Sequence, residues 1–221
     1  MSEPEYLEAT RRSYDAVAQE YADLFRGELR EMVFGRGFLG SFAEMVRAAG
    51  GGLVVDAGCG PGQVTALLRL ELGLDAYGID LSPEMVALAR REHPEVRYEV
   101  GDLRALDVAD GALAGLVSWF SFIHVPPADL DTVWAEFRRV LAPGGMVVLA
   151  FQVGDQPFHL DEAFGRSLDL DYQRWRPEHL GQQLSEAGFR VEAQLVSQPR
   201  VDADGPGLSL PFGYLMARMP D

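Results

Sequence analysis

The stretch that decides the fold is Val54-Val55-Asp56-Ala57-Gly58-Cys59-Gly60-Pro61-Gly62. An apolar run ends at an acid, three glycines follow at alternate positions, and a helical pattern resumes over 63–72. Alternate glycines let a loop turn sharply and bring its backbone close to a ligand without Cβ interference. The helix that follows turns its positive N-terminal end toward the same space. A ligand is therefore expected at the carboxyl ends of the strands, near the switch point of the sheet. The plainer alternative is a tight strand-to-helix turn that holds nothing. A dinucleotide fingerprint, G-x-G-x-x-G, would place its third glycine at 63, where Gln63 stands.

Working outward, short β-rich runs alternate with helical patterns. Strands are expected over 53–57, 75–79, 96–100, 113–119 and 146–151, most of them nearly continuous apolar runs. Such runs suit parallel strands covered on both faces. Two later runs, 189–196 and 213–218, follow each other closely enough to be antiparallel additions. Ser82-Pro83 predicts an N-cap and a first-turn proline for a helix over 84–92. Leu130, Val133, Trp134, Phe137, Val140 and Leu141 share one helical face, and Pro143-Gly144-Gly145 stops that helix. Pro177 opens a further helix and Gly188 ends it. Before the core, Tyr14, Val17, Ala18, Tyr21, Leu24 and Phe25 repeat the helical spacing, so 1–50 is expected to be a helical cap. Residues 152–176 interrupt the alternation and are expected to be an insertion. The pattern predicts one α/β domain over 1–221 with a doubly wound, Rossmann-like sheet.

Composition narrows the chemistry. The chain of 221 residues carries 19 Lys+Arg against 34 Asp+Glu, a net charge of −15. That field repels a nucleic acid, and no compact basic stripe offsets it. All the Lys+Arg are arginines; the absence of lysine excludes a Schiff-base lysine and a phosphate-loop lysine. Asparagine is absent as well. The single cysteine, Cys59, cannot form an internal disulfide, and no Cys/His spacing resembles a zinc site. No apolar run approaches the roughly 18 residues a membrane span requires. The acidic start, residues 1–5, lacks the apolar stretch of a secretory signal, and a cytoplasmic location is expected.

Two acids continue the series begun at Asp56. Asp80 closes the second strand in Gly78-Ile79-Asp80-Leu81-Ser82, where a carboxylate can accept two hydrogen bonds from a ribose diol. Gly101-Asp102-Leu103 ends the third, with Met85 and Leu103 placed to pack against a ring. Together VVDAGCGPG, GIDLSP, the GDL step and the LAPGG turn resemble the motif series of class I S-adenosylmethionine-dependent methyltransferases. The resemblance covers roughly residues 10–150. It is strongest toward small-molecule enzymes whose fourth strand ends like Ser118-Trp119-Phe120-Ser121-Phe122-Ile123-His124. It implies a seven-stranded sheet of order 3-2-1-4-5-7-6, the last strand antiparallel, and S-adenosyl-L-methionine as cofactor.

The same resemblance assigns contacts. Asp56, Gly58, Gly60 and Gly62 would hold the methionine part; Asp80 and Leu81 the ribose; Met85, Gly101, Asp102 and Leu103 the adenine. Tyr14 and Tyr21 would close over the cofactor, Arg36 would pair with its carboxylate, and Ser118 would lie at the strand end beside it. Tyr14 and Tyr21 would equally serve as ordinary core packing, and Arg36 as a solvated surface charge. His124 is the one candidate general base, for an acceptor that must lose a proton; bracing the loop before Val125-Pro126-Pro127 is its structural alternative. The Asn-Pro-Pro-Tyr type motif of relatives that methylate base or amide nitrogens is missing, which points to a small-molecule O or N acceptor. His159, Asp161, Asp171, Tyr172 and Trp175 fall where relatives build the acceptor pocket. A membrane or nucleic-acid partner is not expected, and a homodimer is left open. Two competing classes remain: an NAD(P)-dependent oxidoreductase, which shares the strand–glycine–helix–acid logic, and an S-adenosylmethionine-binding protein without catalysis.

Overall fold

The computed structural model describes residues 4–198 and 210–221. Its centre is a seven-stranded sheet formed by β1 (Leu53–Ala57), β2 (Asp75–Asp80), β3 (Tyr98–Val100), β4 (Leu113–Trp119), β5 (Leu141–Gln152), β8 (Arg190–Ser197) and β9 (Phe212–Arg218). The order is β3-β2-β1-β4-β5-β9-β8. The first five strands pair in parallel, and β9 runs antiparallel to both β5 and β8. Sequence order crosses over between β1 and β4, so a cleft opens at their carboxyl ends. That is the expected topology, with two extra strands inserted ahead of the last pair.

The apolar runs explain the burial. Val54, Val55, Leu116, Val117 and residues 147–151 are fully enclosed. Helices α3 (Val33–Ala48) and α4 (Gln63–Ala66) cover one face, where Leu39, Phe42, Val46 and Leu68 meet Val54, Val117 and Val148. Helices α6 (Leu130–Val140) and α7 (Pro177–Glu186) cover the other, through Trp134, Phe137, Leu180 and Leu184. Ser82 caps α5 (Pro83–Glu92) as its sequence predicts, its Oγ accepting the Met85 N–H at 3.1 Å.

Three local differences from expectation have physical causes. The helix after the glycine loop widens into a π-turn over Leu67–Glu71, where the Leu72 N–H reaches the Leu67 carbonyl. Strand β5 begins before the Pro-Gly-Gly turn, because Leu141 pairs with Leu113 and the turn bonds to Met219. The insertion is a β-hairpin, β6 (Phe158–Ala163) with β7 (Arg166–Tyr172), joined by a two-residue turn at Phe164-Gly165. It packs on α1 (Glu5–Phe25), where Val17 meets Leu168 and Leu170. Helix α1 kinks at Val17, and α2 (Glu28–Glu31) links it to α3. The cap and the hairpin thus lie together over the carboxyl ends of the strands.

Candidate functional site

The glycine loop forms the floor of a large cavity. Gly58, with φ +83°, tolerates no side chain, since a Cβ there would stand 2.1 Å from the Ser121 Cβ. Ser121 approaches this closely because its Oγ donates to the Ala57 carbonyl at 2.5 Å and lies 2.6 Å from the Ser118 Oγ. Gly60 lines the cavity with φ +52°, and a Cβ there would meet no protein atom within 4 Å. The loop therefore leaves its backbone open toward the space above it.

Two carboxyls face that space, Asp56 fully buried and Asp80 part-buried. Asp80 Oδ2 accepts the Gly60 N–H at 2.7 Å, and Oδ1 accepts the Ser82 N–H at 2.9 Å. Burial outweighs these bonds and pushes its carboxyl up to about 6. Asp56 Oδ2 accepts the Thr65 hydroxyl at 2.7 Å, whereas Oδ1 is buried without a hydrogen-bond partner. Burial raises this carboxyl to about 7. An unpartnered acceptor in such a place is costly unless a donor arrives. Leu81, Met85, Gly101, Asp102 and Leu103 line the same cavity. Asp102 is tied to Arg104, whose Nη2 lies 2.7 Å from Oδ2.

Above the loop, α1 and the hairpin bring three tyrosine rings together around His124. His124 Nδ1 lies 2.8 Å from the Asp171 carbonyl, which only accepts, so Nδ1 carries the proton. Nε2 is then the acceptor, and the Tyr14 hydroxyl donates to it at 2.8 Å. Burial holds the imidazole down at about 4, in its neutral form. Tyr21 and Tyr172 pack edge-on to Tyr14 and His124, and burial raises the phenols of all three tyrosines. The hairpin is pinned here by the Gln173 N–H to the Ile123 carbonyl at 2.7 Å and the Asp169 N–H to Ser13 Oγ at 2.9 Å. Helix α1 is pinned to the end of β2, where Asp15 Oδ1 accepts the Ser82 hydroxyl and the Glu84 N–H.

Of the residues singled out in the sequence, Tyr14, Tyr21, Asp56, Gly58, Gly60, Asp80, Leu81, Met85, Gly101, Asp102, Leu103 and His124 share this one cavity. Three do not. Arg36 lies outside it and pairs with Glu71 at 3.1 Å, because α3 turns that side chain toward the π-turn. Gly62 faces the core, where a Cβ would strike the Tyr98 hydroxyl at 2.5 Å. Ser118 is fully buried and acts on the site only through Ser121. The candidate base His124 has both ring nitrogens engaged, by the Tyr14 hydroxyl and the Asp171 carbonyl. In the insertion, Tyr172 lines the cavity, while His159 and Asp171 pair at 2.9 Å on the exposed face. Asp161 is also exposed, and Trp175 lies off the cavity wall. Asp15, Gln152 and Phe164 carry no motif and sequence reasoning passed over them, while Phe120 and Ser121 entered only as part of the fourth-strand stretch, with no role assigned.

Comparison with known proteins agrees with this geometry. Residues 54–145 match a family model described as a methyltransferase domain. A malonyl-[acyl-carrier protein] O-methyltransferase of Pectobacterium atrosepticum is 33% identical over 147 residues, covering 60% of this chain and 56% of that protein. A demethylmenaquinone methyltransferase of Thermus thermophilus is 35% identical over 130 residues, with 56% of each chain covered. The chain spans about half the length of the curated relatives it matches. Among solved structures, magnesium protoporphyrin IX methyltransferase of Synechocystis with bound S-adenosylmethionine superposes with TM-score 0.71 at 17% identity, covering 99% of both chains. The 1,6-didemethyltoxoflavin-N1-methyltransferase of Burkholderia thailandensis gives 0.70 at 22%, covering 100% of this chain and 92% of that one. In its matched segment, its strand order and its glycine loop, the chain is similar to class I S-adenosylmethionine-dependent methyltransferases.

Proposed function

We propose that the protein transfers a methyl group from S-adenosyl-L-methionine to an oxygen or nitrogen atom of a small molecule by in-line displacement. The observation that carries this is the unpartnered Asp56 Oδ1 beside an open glycine backbone and the Asp80 carboxyl. The residues present fit the cofactor. Asp56 offers a buried acceptor to an ammonium group, Asp80 retains lone pairs for a ribose diol, and Met85 with Leu103 offers an apolar slot to a base. When bound, S-adenosylmethionine supplies an electrophilic methyl group on a positively charged sulfur.

The protein's share of the work is alignment and exclusion of water. Gly58 and Gly60 give close backbone approach, while α1 and the hairpin roof the cavity. Tyr14, held by His124, presents its phenol oxygen as an acceptor toward a substrate O–H or N–H. His124 is too weak a base, at about 4, to hold a proton at neutral pH, so it orients Tyr14 and receives a proton only in passing. Residues 152–176 form the wall of the acceptor chamber in this account.

The test is incubation of the full chain with methyl-tritiated S-adenosylmethionine and fractionated small-molecule extracts. Label should move to a compound that gains 14 mass units; binding of the cofactor without transfer to any fraction would leave only a binding protein. With that acceptor, Tyr14→Phe and His124→Ala should each lower kcat by roughly 10- to 100-fold. The double variant should lose no more than the worse single, because the pair acts as one unit. Full additivity would show that the two residues act separately.

A further inference from the structure

Two described residues other than glycine adopt a left-handed backbone, Phe120 and Phe164, each with φ +54°. Both line the cavity. Bulky side chains are outliers in this region, and such strain persists mainly where a ligand needs it. The sites are unrelated in sequence. Phe120 follows β4 and packs edge-on to Phe212, with centroids 5.0 Å apart. Phe164 opens the two-residue hairpin turn, where Asn-Gly is the favoured pair and Phe is not. Phe164 is also a large apolar residue left 42% exposed at the cavity's edge.

The surrounding wall is of one chemistry. Helices α1 and α2, the hairpin and the start of β9 contribute Phe25, Met32, Leu160, Leu168 and Phe212, beside Trp119 from β4. Among the described residues, the charged ones lining the cavity are Arg11, Glu28, Asp56, Asp80 and Asp102. Three of the acids belong to the glycine-loop side, and Arg11, the one cation among the described lining residues, is itself engaged. An anionic acceptor would leave water without a counter-charge to meet it, a heavy cost beside apolar walls. We infer that the methyl acceptor is an uncharged ring compound, gripped by Phe120 and Phe164, rather than a phosphorylated or carboxylated one. This inference rests on the function proposed above.

The experiment uses the full chain saturated with S-adenosylhomocysteine, in 0.5 M salt to screen the protein's net charge. Two fluorescent probes share a ring frame: uncharged N-phenyl-1-naphthylamine, and 8-anilino-1-naphthalenesulfonate, which adds a sulfonate. The uncharged probe should bind at least ~10-fold more tightly. Phe164→Asn should weaken it by at least ~5-fold, leave S-adenosylhomocysteine affinity within about twofold, and keep or raise Tm, since asparagine suits the left-handed turn. Equal or tighter sulfonate binding would overturn the inference, as would unchanged probe affinity in Phe164→Asn. Failure of S-adenosylhomocysteine to bind would overturn the proposed function instead; the probe comparison, run on the protein alone, still decides the wall's chemistry.

Discussion

Asp56 and Asp80 are carboxyls whose ordinary range is near 3.8, raised by burial to about 7 and about 6. A carboxyl raised on folding stabilises the protein below its unfolded value, and that contribution is lost as pH rises through the folded value. Between about pH 4 and 7 these two acids therefore work against the empty site. His124 has the opposite sign: its imidazole is held down at about 4, so its contribution is lost as pH falls from 6.5 toward 4. A ligand with net positive charge favours both ionised carboxylates, so binding should expel protons. S-Adenosylmethionine affinity should rise roughly 5- to 10-fold from pH 5.5 to 8, with proton release seen by calorimetry in buffers of different ionisation enthalpy. Affinity flat or falling over that range would contradict the assignment of these acids. Both positions were legible because each closes an apolar strand ahead of a turn. Phe120 was not: no spacing rule announces that a phenylalanine will take a left-handed backbone, and Ser121 matters only through its approach to Gly58.

At the scale of elements, one carboxylate ties α1 to the start of α5. Asp15 accepts from the Ser82 hydroxyl and the Glu84 N–H, joining the cap helix to the N-terminus of α5. Asp15→Ala should cost about 1 kcal/mol, the usual effect of losing a capping acceptor. Hydrogen exchange should quicken in residues 5–25 while β1, β4 and β5 stay protected; an unchanged α1 would show that the hairpin alone holds it. The helix itself was readable from the spacing of Tyr14, Val17, Tyr21 and Leu24, but its kink at Val17 was not. The hairpin was hidden for a different reason. Strand β6 is mostly exposed and acid-rich, and β7 buries only Leu168 and Leu170, too short an alternation to stand out. Its turn, Phe164-Gly165, keeps the expected glycine but has phenylalanine where Asn, Asp or Gly normally marks the turn.

At the scale of the whole molecule, the sheet was legible almost strand for strand, since parallel strands covered on both faces must be continuously apolar. Its order followed from the family resemblance, and the β5–β9–β8 ladder agrees with it. The sequence offered a helical cap with Tyr14 and Tyr21 over the cofactor and an insertion beside it; what it could not supply was how α1 and the hairpin meet, because those contacts lie far apart in the chain. The central claim is that the cleft at the strand ends binds S-adenosylmethionine through the glycine loop and Asp80. Isothermal titration of S-adenosylmethionine into the wild type and Asp80→Ala at pH 8 tests it most directly, with circular dichroism verifying the fold of the variant. The account predicts one site per chain in the wild type, and an affinity loss of about 1–3 kcal/mol in the variant, where the ribose loses a charged acceptor. An absence of binding to the wild type, or equal affinity in a folded Asp80→Ala protein, would contradict it.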